Sequence, residues 1–205
     1  MTVSDTKTFL LNLVELCVTV FRGPDADTWS KMADSGLPEL LDRVQGIPGF
    51  PAAPVRGLAK ALSDCRRTGG FSPLETEYVR LFIACPGGVP APLYQSCHQD
   101  TQPRTMGQSA LDMQSRLDEA GLEISLPSNE PPDHLTIELE YLFFLLSEEW
   151  FRDASRAGRG IDFASTVMLP WVRRFRNAVA AADPHPVFLH TADIAVVMLE
   201  ALVKT

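Results

Sequence analysis

Apolar side chains return every three to four residues along most of this chain, and alternating runs of β-branched residues are almost absent. The period suits helices that turn one stripe towards a shared core, and it leaves little from which to build a sheet. The expected fold class is all-α. A single irregular helical bundle is expected, because no fixed-period repeat and no low-complexity tract divides the chain. A length of 205 residues suffices for one domain, residues 1–205, with a sizeable core.

Sixteen prolines and 13 glycines set where the helices stop. A first helix is predicted from Val3 to Phe21, with Phe9, Leu10, Leu13, Val14, Cys17 and Val20 on its apolar side and Gly23-Pro24 ending it. Two short helices, Asp25 to Asp34 and Pro38 to Val44, precede the breaker-rich stretch 46–54, a candidate hinge. A helix from Val55 to Arg67 closes at Gly69-Gly70. Ser72-Pro73-Leu74-Glu75 then supplies a capping hydroxyl, a proline for the first helical position and a glutamate for N3, the elements of a capping box. The prolines and glycines between Cys85 and Tyr94 force an extended loop, with 86–92 a further candidate hinge.

Arg104 to Ala120 reads as a polar helix closed by Gly121, and the proline-bearing connection 121–132 is another candidate hinge. Asp133 is placed to cap the most apolar helix, where Leu135, Ile137, Leu139, Leu142, Phe143, Leu145, Leu146, Trp150 and Phe151 cover more than half the circumference. Pro170 is expected to kink or split the segment from Ile161 to Ala182 near Leu169, and His185 to Val203 forms the last helix.

Asp and Glu number 26 against 18 Lys and Arg, a net charge of −8. That balance disfavours nucleic acid and anionic membrane surfaces and favours basic partners. The N-terminus lacks the succession of basic, apolar and small residues that marks a secretory signal, and no uninterrupted apolar run approaches the ~18 residues of a membrane span. A cytoplasmic protein is expected. Cys17, Cys65, Cys85 and Cys97 contain no Cys-x-x-Cys pair and are expected to be reduced thiols.

Catalytic and metal chemistry find little purchase. Cys85, Cys97 and His98 are spaced too widely for a local chelate, and His185 and His190 do not share a helical face. Gly-x-Ser-x-Gly, Gly-x-Gly-x-x-Gly and the Walker loop are all missing. The carboxylate pairs Glu138/Glu140 and Glu148/Glu149 read as the solvated face of a helix.

Glu130-Pro-Pro-Asp-His134 carries more polar chemistry than a helix start requires. Two prolines stiffen Glu130, Asp133 and His134 into an acidic corner suited to bidentate hydrogen bonding with a guanidinium. A purely structural alternative has Asp133 capping the helix and His134 donating to a backbone carbonyl.

Glu130-Pro-Pro-Asp-His134 followed by Glu138-Leu-Glu140 resembles the E-P-x-D-H signature of the TorD/DmsD/NarJ family of cytoplasmic chaperones for molybdenum enzymes. Glu77-Tyr-Val-Arg-Leu-Phe82 and the proline-rich stretch from Gly87 to Ser96 are similar to a second family block, a helix ending in Leu-Phe that leads to a P-Y-x-S loop. Leu169-Pro-Trp-Val-Arg-Arg-Phe175 resembles a third, weaker block. Two departures stand out. Leu93 separates Pro92 from Tyr94, and Cys97-His98 replaces the aliphatic residue and tyrosine that members often carry.

The resemblance implies a TorD-like helical chaperone rather than an enzyme. Such a protein binds the twin-arginine signal peptide of a molybdopterin-dependent oxidoreductase and holds it back from export until cofactor is inserted. It implies that Glu130, Asp133 and His134 receive the arginines, while Tyr78, Leu81, Phe82 and Tyr94 line an apolar groove with Pro92 and Ser96 in the loop beside it; for the apolar residues, Leu81 and Phe82 above all, ordinary core packing is the alternative. A NarJ-like grip on the mature apoenzyme is the alternative within the family, and a helical adaptor with no peptide site is the alternative outside it. No cofactor is expected. GTP binding, reported for some related chaperones, has no phosphate loop to support it. Both a monomer and a dimer that exchanges helical segments are compatible with the chain.

Overall fold

Phe9, Leu13, Val14, Val20 and Phe21 are all fully buried, so the first helix turns its predicted stripe inward over its whole length. The computed structural model describes residues 3–45, 47, 49–99, 106–124, 130–152 and 158–204. In chain order the helices are α1 (Val3–Phe21), α2 (Ala26–Lys31), α3 (Leu37–Val44), α4 (Ala53–Thr68), α5 (Ser72–Tyr78), α6 (Ser96–Gln99), α7 (Gln108–Ala120), α8 (Leu135–Phe151), α9 (Arg159–Asp162), α10 (Leu169–Ala181) and α11 (Pro186–Val203). Among the described residues there is no strand, and an isolated antiparallel bridge pairs Tyr94 with His134. The all-α expectation holds.

Helix α1 packs against α8 and α11, and α11 in turn packs on α4 and α10. By length and composition α11 is apolar enough to cross a membrane, with a mean hydropathy of 1.7. Here Val187, Phe188, Ile194, Ala195, Met198, Leu199 and Leu202 are fully buried among its neighbours, as befits the central helix of a core. An aromatic cluster ties these layers together. Phe21, Phe82, Phe175 and Phe188 lie within edge-on or tilted contact, with Phe21 and Phe175 at 5.3 Å and Phe82 and Phe188 at 5.4 Å.

Among the described residues, three helical segments run through π-helical turns, Met32–Gly36, Val79–Ile83 and Phe163–Met168. The last sits directly ahead of Pro170. A wider turn relieves the clash between a proline ring and the preceding carbonyls, and α10 begins at Leu169, where the split was predicted.

Some ends differ from expectation. Ser72 is the first residue of α5 and not its cap, and no side chain caps that end. Phe71 occupies the cap position, buried and stacked on Trp29, so tertiary packing sets the entry of the chain. Asp133 does not cap α8; His134 does. Gly121 closes α7 in the left-handed conformation as predicted. The start expected at Arg104, residues 46 and 48 of the 46–54 hinge, and residues 125–129 of the 121–132 hinge lie outside the described residues. The thiols of Cys17, Cys65, Cys85 and Cys97 are all free.

Candidate functional site

The loop after Val79–Ile83 is stitched to the start of α8 by backbone hydrogen bonds. The Ala91 amide donates to the Leu81 carbonyl at 3.0 Å, the Leu135 amide to Leu93 at 2.8 Å, and the Gln95 amide to Asp133 at 3.0 Å. This pairing lays Tyr94 beside His134, with ring centroids 5.2 Å apart, nearly edge to face. The Tyr94 hydroxyl donates to Glu130 Oε2 at 2.6 Å. Burial, reinforced by Glu130, raises the Tyr94 pKa, so the hydroxyl keeps its proton and its role as donor.

Asp133 is fully buried. Its Oδ2 accepts from the Ser96 amide and from Ser109 Oγ, both at 2.9 Å, which pins the α6 and α7 starts to α8. It is therefore an internal staple and not a surface acceptor for arginine. His134 takes over the cap, its Nδ1 accepting from the Thr136 amide at 3.2 Å. An accepting Nδ1 puts the ring proton on Nε2. Burial holds His134 below its ordinary pKa against the pull of Glu130 and Asp133, so the imidazole is neutral at pH 7.

Glu138 was grouped with Glu140 as solvated face, yet it is fully buried. Its Oε2 accepts from Trp171 Nε1 at 2.9 Å, fastening α8 to α10. Burial raises its pKa well above the ordinary 4.5, and nearby Asp133 adds to the shift. Glu149 is likewise buried and accepts from the Gly160 amide at 3.1 Å. A helix apolar on more than half its circumference leaves too little solvent face to accommodate all its carboxylates. Helical spacing carries the signal, since Glu138 shares a side with Leu135, Leu142 and Leu145.

Beside these groups lies an open cleft of about 620 Å³. Glu123, Glu130, Glu140 and Arg22 give it charge, and Ile137, Phe144, Leu117, Leu122, Ile83 and Ile124 give it apolar wall. Arg22 Nη2 pairs with Glu140 Oε1 within it. Tyr78, His134, Thr136 and Tyr141 complete the lining. Tyr78 donates to the Phe21 carbonyl at 2.9 Å, and burial pushes its pKa up to about 12. Its ring crowds Gly23, where φ is +71° and an added Cβ would come within 2.8 Å.

Of the residues expected to bind peptide, Glu130, His134 and Tyr78 line this cleft, and Tyr94 joins it through Glu130. Leu81 and Phe82 belong to the core instead of the groove, because the π-helical turn points both inward. Ser96 is buried with its amide on Asp133, and the Pro92 carbonyl is taken by His98 Nε2 at 2.7 Å. Sequence reading missed Arg22, Glu140, Ile137, Tyr141 and Phe144. Four of these recur at i, i+3, i+4 and i+7 along α8 and could have been found by that spacing. Arg22 arrives from 118 positions away with no local signal.

The profile of the family described as nitrate reductase delta subunit matches residues 51–177. Chaperone protein TorD of Shewanella oneidensis is 26% identical over 164 residues, 79% of this chain and 72% of that protein. The Tat proofreading chaperone DmsD of Salmonella typhimurium is 26% identical over 136 residues, 66% of this chain but only 60% of its own length. The crystal structure of a putative redox enzyme maturation protein from Archaeoglobus fulgidus aligns with the whole chain and 93% of its own, at a TM-score of 0.50 and 22% identity. That likeness shows the fold.

Proposed function

The chain belongs to the nitrate reductase delta subunit family, and from that premise we propose that it is a cytoplasmic maturation chaperone that holds the arginine-bearing leader of a molybdopterin-dependent oxidoreductase. The names of its relatives, a chaperone and a Tat proofreading chaperone, support a binding role over a catalytic one. The single observation that carries the reading is the cleft, which sets Glu130 and Glu140 in one concavity with Ile137 and Phe144.

A leader of this kind presents guanidinium groups followed by an apolar stretch. Its receptor needs carboxylates beside an oily path. Tyr94 holds one Glu130 oxygen at 2.6 Å, which orients the carboxylate before any ligand arrives. The acidic balance of the chain adds long-range attraction that falls off within a Debye length of about 8 Å, so it acts on capture rate more than on selectivity.

The test is calorimetric titration with a synthetic twin-arginine peptide. Glu130→Gln is expected to weaken binding about tenfold, the ~1.4 kcal/mol of a charge-assisted hydrogen bond in a partly open site. Unchanged affinity in both Glu130→Gln and Glu140→Gln would overturn the assignment. Retention of a leaderless client in place of the peptide would move the contact to the mature apoenzyme.

A further inference from the structure

The cleft described above borders a second hollow of about 400 Å³, walled by Val14, Val18, Thr19 and Phe143 with the exposed Glu15 at its rim. Arg22 and Glu140 line both spaces. The partition between them is thus an ion pair, the Arg22 guanidinium at the end of α1 bonded to Glu140 on α8. The two side chains are 55% and 47% exposed, and a pair so wetted holds only weakly. Along α1, Val18 lies one turn before Arg22, so the edge of the buried stripe reaches the cation.

Resting on the peptide-binding reading, we propose that Arg22 is a built-in competitor for the client's arginine. It occupies Glu140 in the free protein. An incoming guanidinium takes its place, the partition opens, and the apolar continuation of the peptide enters the second hollow against Phe143 and the edge of Val18. Exchanging one guanidinium for another on Glu140 changes neither charge nor hydrogen-bond type, so arginine alone gains little there. The gain comes from apolar surface buried beyond the partition. The device therefore selects segments in which a cation and an apolar run are joined, which matches charge and surface on both sides of Glu140.

Two synthetic peptides test this by calorimetry: a twin-arginine leader with its apolar stretch, and the same peptide cut after the arginines. Arg22→Gln is expected to bind both about two- to fivefold more tightly, the equilibrium cost of opening an exposed pair. Phe143→Ser is expected to weaken the long peptide and leave the short one unchanged. A second readout is the Nε–Hε resonance of Arg22, which moves to its solvent position when the long peptide saturates the wild-type protein. If the wild type binds the long peptide while Arg22→Gln shows equal or weaker affinity, or the Arg22 resonance stays in place, the competitor role is overturned and the peptide site stands. If the wild type binds neither peptide, both proposals fall.

Discussion

Glu138→Gln isolates the proton that the fold keeps on a buried carboxyl. Above the ordinary pKa of 4.5 the unfolded chain has released this proton, while burial keeps it on the folded protein. Folding therefore takes up a proton, and stability falls as pH rises, by about 1.4 kcal/mol per pH unit from this one group, until the raised folded pKa is passed. Glutamine presents a carbonyl oxygen to Trp171 Nε1 in place of Oε2 and has nothing to titrate, so its hydrogen bond persists and that slope vanishes. The measurement is urea unfolding of both proteins across a series of pH values above 4.5, followed by subtraction of the two curves, which cancels every other titrating group. A difference that grows with pH in favour of the variant is expected. Parallel curves would refute the claim that Glu138 is held protonated. A companion variant, Glu138→Leu, strands the buried indole donor and is expected to lose about 1–3 kcal/mol at every pH.

Two further predictions follow from buried polar groups. Asp133→Ala leaves the Ser96 amide and the Ser109 hydroxyl without an acceptor and is expected to lose at least about 2 kcal/mol in chemical denaturation, with Asp133→Asn losing less. A neutral effect of Asp133→Ala would show that this carboxylate is no staple. Burial holds His98, His134 and His185 below the ordinary value of 6.5. Their contribution to stability is thus full above pH 6.5 and is lost as pH falls through the depressed folded values. Thermal melting of Glu138→Gln, which lacks the opposing slope, is expected to drop on acidification below pH 6.5, and a constant melting temperature there would contradict it.

Helix positions were legible because proline, glycine and the spacing of apolar residues are local signals, and the split before Pro170 and the left-handed Gly121 cap follow from them. The cap of α8 was less so. Asp133 and His134 are adjacent and both able to cap, and the choice is made by Ser96 and Ser109, which claim the carboxylate from 37 and 24 positions away. That Glu130, His134 and Tyr78 gather at one cleft was legible through their motifs, whereas Leu81 and Phe82 share those motifs yet pack into the core. Pairings across the chain, such as Arg22 with Glu140 and Glu138 with Trp171, depend on how α1, α8 and α10 are laid together. No short window of residues encodes that.

The seam between Tyr94 and His134 is closed by the amides of Gln95 and Leu135, and Leu93, Asp133 and Leu135 within it are buried in the helical body. A join of this sort opens only by exposing core side chains and unpairing Asp133, which raises its opening free energy towards the global value. One wall of the cleft is consequently in place before anything enters it. A hollow whose wall is already set spends little free energy on ordering itself when it is filled.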